Sequence, residues 1–164
     1  VLQEMGASIT IQKQTRMGGE PAGEVIVQNS RLRGINRNGA QVVRMIDEIP
    51  IFAIAAACAE GKTRVRGARE LRYKETDRLT AVQQELSRIG VEIEEVVDGF
   101  DLQGGAPFQG GIVNSRGDHR IAMALAVAGL VAQNPLHIQN ADIIHESFPG
   151  FVPTLQQLGG EVEL

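Results

Sequence analysis

Leu79, Val82, Leu86 and Ile89 recur at every third or fourth position, the spacing that lines one face of an α-helix. Thr76 or Asp77 can cap the start of that helix and Gly90 can stop it, so a helix is predicted across the stretch. Two further stretches are apolar nearly all round. One follows Asp47, is rich in alanine as far as Glu60 and closes at Gly61; the other, RIAMALAVAGLVA, follows Asp118 and closes near Asn134 and Pro135. With no polar face, both predict buried helices. Short runs rich in β-branched residues predict strands at 24–28, 63–66, 91–97, 111–114, 136–138 and 161–164. Glycine and asparagine clusters separate them.

Three segments share a leucine, a glycine four positions on, and an Ile or Val beyond: LQEMGASI, LSRIGVEI and LQQLGGEV. Residues 24–97 and 99–164 also run through one order of features. Each has strand material, an aspartate, an alanine-rich helix, a short strand, a loop with a glutamate, a second helix and a strand. Asp47 in the first matches Asp118 in the second, and the Glu75 loop matches the Glu146 loop. A common helix ending accounts for LxxxG alone. The order of all the elements predicts an internal duplication, with an earlier copy trailing off over residues 1–12.

Composition narrows the partners. At 164 residues the chain fits one compact domain with a core of its own. Its 16 basic and 20 acidic residues leave a formal charge of −4, which offers no general attraction for nucleic acid or an anionic membrane. Any anion site must therefore be local. Cys58 is the only cysteine, so there is no internal disulfide and no cysteine cluster for zinc; a small buried side chain and a cytoplasmic location are expected. The longest apolar runs, 49–59 and 121–132, fall short of the ~18 residues a membrane-spanning helix needs. The chain opens VLQEMG, without initiator methionine or leader pattern, and reads as a fragment entered partway through a helix.

Parallel strand–helix–strand crossovers place their strand-to-helix joins on one edge of a sheet. Asp47, Glu75, Asp118 and Glu146 are then expected on one side, beside helix N-termini whose free N–H groups favour phosphate or carboxylate. From Lys62 to Arg78 the chain carries seven basic residues against three acidic ones, a positive stretch in a negative chain. Taken alone, the run reads first as strand-edge and loop charges in water, with Asp77 capping its helix and Arg78 paired to it. The other reading is an anion site, because arginine grips carboxylate and phosphate through two donors and a neighbouring glutamate can exchange a proton. Asp118, His119 and Arg120 open the next helix; by themselves they read as an N-cap, a surface histidine and a first-turn arginine.

RYKETDRLTAV, followed by DHRIAMALAV and SFPGF and preceded by IDEIP, resembles the C-terminal part of the 5-enolpyruvylshikimate-3-phosphate synthase family, also called 3-phosphoshikimate 1-carboxyvinyltransferases. KETDR is highly specific to that family, and the resemblance covers essentially the whole chain. It implies an α/β (α+β) fold of repeated βαβαββ units, the enolpyruvyl transferase fold, with mixed sheets packed on buried helices. Residues 1–164 then correspond to part of the C-terminal domain of a two-domain enzyme. About 24–97 and 99–164 form its repeat units, and 1–12 the tail of an earlier one.

The resemblance implies transfer of the enolpyruvyl group of phosphoenolpyruvate to the 5-hydroxyl of shikimate 3-phosphate, through a tetrahedral intermediate and with release of phosphate. No metal or organic cofactor is implied. Carried over by motif, Asp47 holds the reacting hydroxyl and helps remove its proton. Glu75 protonates the methylene carbon and later takes the proton back. Lys74 bridges the reacting region, Arg78 and Arg120 bind the carboxylate and phosphate of phosphoenolpyruvate, and His119 lies beside them. The chemistry needs such a set, because protonating an alkene carbon develops positive charge beside a carboxylate while two phosphorylated anions meet only over fixed cations.

Two positions depart from the family pattern. Glu146, preceded by His145, stands where some members carry a lysine before SFP or TFP, and that role is not transferred. Glu70 stands where some carry an asparagine. The N-terminal half of the family, which supplies further contacts and closes over the substrates, has no counterpart in these residues, so little or no turnover is expected of them alone. The alternative reading is a non-catalytic binding or scaffold domain of the same fold. The sister transferase that acts on UDP-N-acetylglucosamine depends on a loop cysteine absent here and lacks KETDR.

Overall fold

The computed structural model of the chain describes residues 1–163. Strands β1 (Ser8–Met17) and β2 (Glu20–Gln28) form an antiparallel hairpin. Four strands make the central sheet, β3 (Asn36–Arg37), β4 (Gly61–Val65), β5 (Glu92–Val96) and β6 (Gly99–Gly104), in the order β3-β4-β6-β5. β3 and β4 run parallel and the other pairs antiparallel. β7 (Gly111–Asn114) and β8 (Leu136–Gln139) pair in parallel.

Among the described residues six α-helices accompany them: α1 (Ala40–Arg44), α2 (Ile49–Cys58), α3 (Arg78–Arg88), α4 (His119–Gly129), α5 (Ile144–Ser147) and α6 (Phe151–Gln157). The helices expected after Asp47, Asp77 and Asp118 are α2, α3 and α4. They form the centre of the core, with Ile49, Phe52, Leu79, Leu86, Ile121 and Leu125 buried among them. Alanines let α2 approach the sheet closely. A Cβ on Gly104 of β6 would strike the carbonyl oxygens of Ala56 and Ala59, so glycine at this strand end and alanine on the helix are one packing solution.

The three LxxxG segments end alike. Gly6, Gly90 and Gly159 have φ of 100°, 90° and 91°. Their N–H groups donate to Gln3, Ser87 and Gln156, and the following residues Ala7, Val91 and Gly160 donate to Leu2, Leu86 and Leu155. This is the doubly bonded left-handed helix ending that glycine supplies, and it is what the sequence pattern records.

Several expectations are corrected. The chain start is one turn, closed by Met5 N–H on the Val1 and Leu2 carbonyls, which leads into β1. The last expected strand is absent among the described residues: Glu161–Glu163 have no regular structure, the Val162 carbonyl is taken by the Gln156 side chain at 2.7 Å, and Leu164 lies outside the described residues. β6 was not expected, though Phe100 and Leu102 are buried alternately with the more open Asp101 and Gln103. Cys58, expected to be buried, is the last residue of α2 and lies exposed.

Candidate active site

Three helix entrances supply the site. Asp47 sits in a 3₁₀ turn, Ile46–Glu48, just ahead of α2. Lys74 and Glu75 lie between a 3₁₀ turn, Arg69–Tyr73, and α3. Asp118 caps α4, its Oδ1 accepting from the N–H of Arg120 at 2.8 Å and of Ile121 at 3.2 Å.

The Lys74–Glu75 loop is pinned from behind by Arg72. Its guanidinium donates to the carbonyls of Val96 and Val97 at 2.9 Å and lies 2.7 Å from both Asp77 and Glu95. The Asp77 and Glu95 contacts raise its pKa against the opposing effect of burial. Asp77 in turn caps α3 through Thr80 N–H at 3.2 Å. Burial pushes the Asp77 carboxyl up, but Arg72 and the Thr80 N–H outweigh it and hold it below the ordinary value.

Arg78, the first residue of α3, gathers the other acids. Its Nε donates to Asp118 Oδ2 at 2.7 Å, one terminal nitrogen donates to Asp47 Oδ1 at 2.9 Å, and the other donates to Glu75 Oε2 at 2.6 Å. Arg78 and Asp118 are sealed, at 1% and 0% exposed, whereas the Asp47 and Glu75 side chains keep 38% and 46% of their surface open. The site thus has a buried floor, Arg78 on Asp118, and a solvent-facing rim.

Lys74 and Arg120 complete the rim. Lys74 Nζ stands 3.4 Å from both Asp47 and Glu70. Arg120 donates to the Asp47 carbonyl at 3.2 Å and lies 3.8 Å and 3.7 Å from the Asp47 and Glu48 carboxylates. These long contacts hold Arg120 loosely, so its guanidinium can still turn to an anion. Burial acts to raise the Asp47 carboxyl, but Arg120, Lys74 and Arg78 together bring it below the ordinary carboxylate value. For Lys74 slight desolvation acts downward, and Asp47 and Glu70 outweigh it, raising the ammonium pKa. Near neutral pH this pair is an ionised carboxylate beside an ammonium.

Asp47, Lys74, Glu75, Arg78 and Arg120, singled out in the sequence, therefore meet in one network. His119 is half-buried in the first turn of α4 and makes no ion pair among the described residues. Glu146 and His145 are exposed on α5 and do not join the cluster. Asp118 was expected beside Asp47 and Glu75, and by itself as a cap; its second task, supporting Arg78, had a signal in its match to Asp47 at a converging helix entrance. Arg78 was expected to meet phosphoenolpyruvate, and here its donors face three carboxylates. A large open hollow along the hairpin, beside Ile11, Gln14, Pro21 and Val25, has no carboxylate in its lining; the carboxylates singled out in the sequence are at the cluster.

Chemically, the cluster offers two half-open carboxylates from separate loops tied to one buried cation, flanked by two more open cations. That suits proton exchange at an anionic substrate. Among the described residues no group of three or more His, Cys, Asp or Glu is placed to hold a metal ion. No helix among them is long and apolar enough to cross a membrane.

A family model described as EPSP synthase (3-phosphoshikimate 1-carboxyvinyltransferase) matches residues 1–155. A 3-phosphoshikimate 1-carboxyvinyltransferase of Synechococcus sp. is 51% identical over 158 residues, which are 96% of this chain and 36% of that protein. An EPSP synthase structure from Acinetobacter baumannii superposes with a TM-score of 0.91 at 38% identity, covering 95% of this chain and 37% of that one. The enolpyruvyl transferase NikO from Streptomyces tendae shares the fold, with a TM-score of 0.72 at 18% identity over 99% of this chain and 34% of its own. The chain thus spans just over a third of the length of the curated relatives it matches.

Proposed function

The chain belongs to the EPSP synthase family, and on that premise we propose that it supplies the acid–base groups for enolpyruvyl transfer from phosphoenolpyruvate to the 5-hydroxyl of shikimate 3-phosphate. It does so as part of a longer enzyme whose remaining residues complete the site. The observation that carries the reading is the tie of Asp47 and Glu75, from two separate loops, to one buried arginine.

Asp47, ionised beside Lys74, takes the proton of the 5-hydroxyl as its oxygen attacks the central carbon of phosphoenolpyruvate. Glu75 delivers a proton to the methylene carbon, making a methyl group and a tetrahedral phosphorylated ketal. In the second step the carbon–oxygen bond to phosphate breaks and Glu75 takes a proton from the methyl group, restoring the double bond. The hydroxyl proton leaves with the phosphate, so atoms and charge balance.

Arg120 is the first cation an incoming anion meets. A phosphoenolpyruvate carboxylate or phosphate reaches Arg78 by replacing Asp47 or Glu75 on it, and the displaced carboxylate is left beside the reacting carbon. Lys74 spans the two substrates and His119 borders the site. Fixed cations of this kind stabilise charge that develops in the transition state more than they stabilise the separated substrates.

The test is phosphate release from the two substrates by the full-length enzyme, or by this chain mixed with the remainder of that enzyme. Glu75→Gln is expected to lower kcat by about a hundredfold to ten-thousandfold, the usual contribution of a general acid–base group, and Asp47→Ala to lower it comparably. A folded, complete protein that releases no phosphate would instead support a scaffold role.

A further inference from the structure

Glu85 lies seven residues beyond Arg78 on α3, and both side chains are 1% exposed. That spacing, two helical turns, puts them on one face. Glu85 Oε2 accepts from the backbone N–H of Asn114 at 2.9 Å, and its Oε1 accepts from Arg116 Nε at 2.8 Å and lies 2.6 Å from a terminal nitrogen of the same guanidinium. Arg88 approaches Oε2 at 3.4 Å from the surface. A buried carboxylate must have partners, and the close ones here belong to a single short segment.

That segment is held in a conformation that Arg116 disfavours. Arg116 and Gly117 have φ of 57° and 71°, and left-handed backbone is uncommon for arginine. Asn114 Oδ1 accepts from Arg116 N–H at 2.7 Å, Ser115 Oγ accepts from Gly117 N–H at 3.2 Å, and Asp118 N–H donates to the Ser115 carbonyl at 3.0 Å. Asp118 follows directly. α3 thus grips residues 114–118 at both ends, through Glu85 at Asn114 and Arg116 and through Arg78 at Asp118.

We propose that Glu85 is a positioning residue of the acid cluster: by holding the β7–α4 turn left-handed it places Asp118, and through Asp118 the Arg78 guanidinium that aligns Asp47 and Glu75. Its consequence for rate rests on the enolpyruvyl-transfer reading; its consequence for Arg78 does not.

The test uses full-length enzyme with Glu85→Gln, which keeps the shape and an acceptor for Asn114 N–H but removes the charge facing Arg116. Solvent exchange of the Arg78 Nε–H is followed by NMR in nitrogen-labelled protein beside the kinetics of phosphate release. Exchange at Arg78 is expected to speed up at least about tenfold as the burial of that bond loosens. Turnover is expected to fall roughly tenfold to a hundredfold with KM for both substrates within about threefold, as a small misplacement of reacting groups does. Arg116→Lys, which breaks the same fork without touching the helix, is read alongside in case Glu85→Gln does not fold.

Wild-type exchange at Arg78 in a folded variant overturns the proposal. So does a rise in KM with unchanged turnover. Faster exchange in the variant, when the wild-type enzyme itself transfers no enolpyruvyl group, leaves the positioning role standing and removes the functional reading instead.

Discussion

Arg78 donates through Nε to Asp118 across 2.7 Å, and neither side chain reaches solvent. A buried ion pair of this kind costs desolvation to form, and removing one partner strands the other. Asp118→Ala is therefore expected to destabilise the protein by about 3–5 kcal/mol, with the lost cap of α4 included. The shift in urea midpoint measures it, and a loss of only a few tenths of a kcal/mol would mean that Arg78 finds other partners.

Acid should loosen the fold through its depressed carboxyls. Asp101 faces Lys62 at 3.0 Å, Arg66 at 2.5 Å and Arg64 at 3.5 Å. Burial raises its carboxyl, but Lys62 and Arg66 outweigh that and bring it below the ordinary value. A folded pKa lower than the unfolded one contributes stability that is complete above the unfolded value and lost as pH falls through the folded one. Wild-type protein should accordingly be more stable than Asp101→Asn at neutral pH, with the gap shrinking below about pH 4, where unfolded aspartate begins to protonate. Paired urea titrations across that range check it; a gap independent of pH would contradict it.

Arg72 should not be replaceable by lysine. It serves two carbonyls and two carboxylates at once, a division of donors that a single ammonium cannot reproduce. Arg72→Lys is expected to cost about 1–2 kcal/mol and to lower turnover in the full-length enzyme, because the Lys74–Glu75 loop loses its backing. Denaturation and phosphate release measure the two effects; full stability with wild-type turnover would show that the loop is held by other contacts.

Two glycines should respond differently to alanine. A Cβ on Gly99 falls on the Val65 carbonyl of the neighbouring strand β4, so Gly99→Ala forces β6 away and should cost about 3 kcal/mol, the upper range for overpacking. Gly159 has open space around it and a φ of 91°, so Gly159→Ala meets only backbone strain, about 1 kcal/mol. Thermal denaturation of the two variants ranks them, and the reverse order would contradict the packing.

The helices that carry the site were legible because their signals are local. Asp77 and Gly90 bracket a 3.6-residue apolar period, and the alanine-rich runs of α2 and α4 can only be interior. Strand β6 was written in the alternation of Phe100 and Leu102 but masked by glycines at both ends. Residues 161–163 have strand composition, but among the described residues they pair with no strand, and the Val162 carbonyl is taken by Gln156 instead, so β propensity was not realised. For the site, KETDR and its neighbours singled out, through family resemblance, residues that the structure brings together around Arg78. The Asp118–Arg78 pair spans 40 residues, and no local pattern announces a contact of that range. The same is true of the Glu85 contacts with Asn114 and Arg116, 29 and 31 residues away.

In the proposed reaction Glu75 adds and removes a proton at carbon. Turnover in heavy water by the full-length enzyme, with mass spectrometry of the product and of recovered phosphoenolpyruvate, tests it most directly. A methyl group formed by deuteron addition loses any of its three hydrogens on elimination, so the vinyl group of the product should carry deuterium in the wild type, and neither product nor label should accumulate with Glu75→Gln. Product formed by the wild-type enzyme with no deuterium in its vinyl group would rule out proton addition at that carbon.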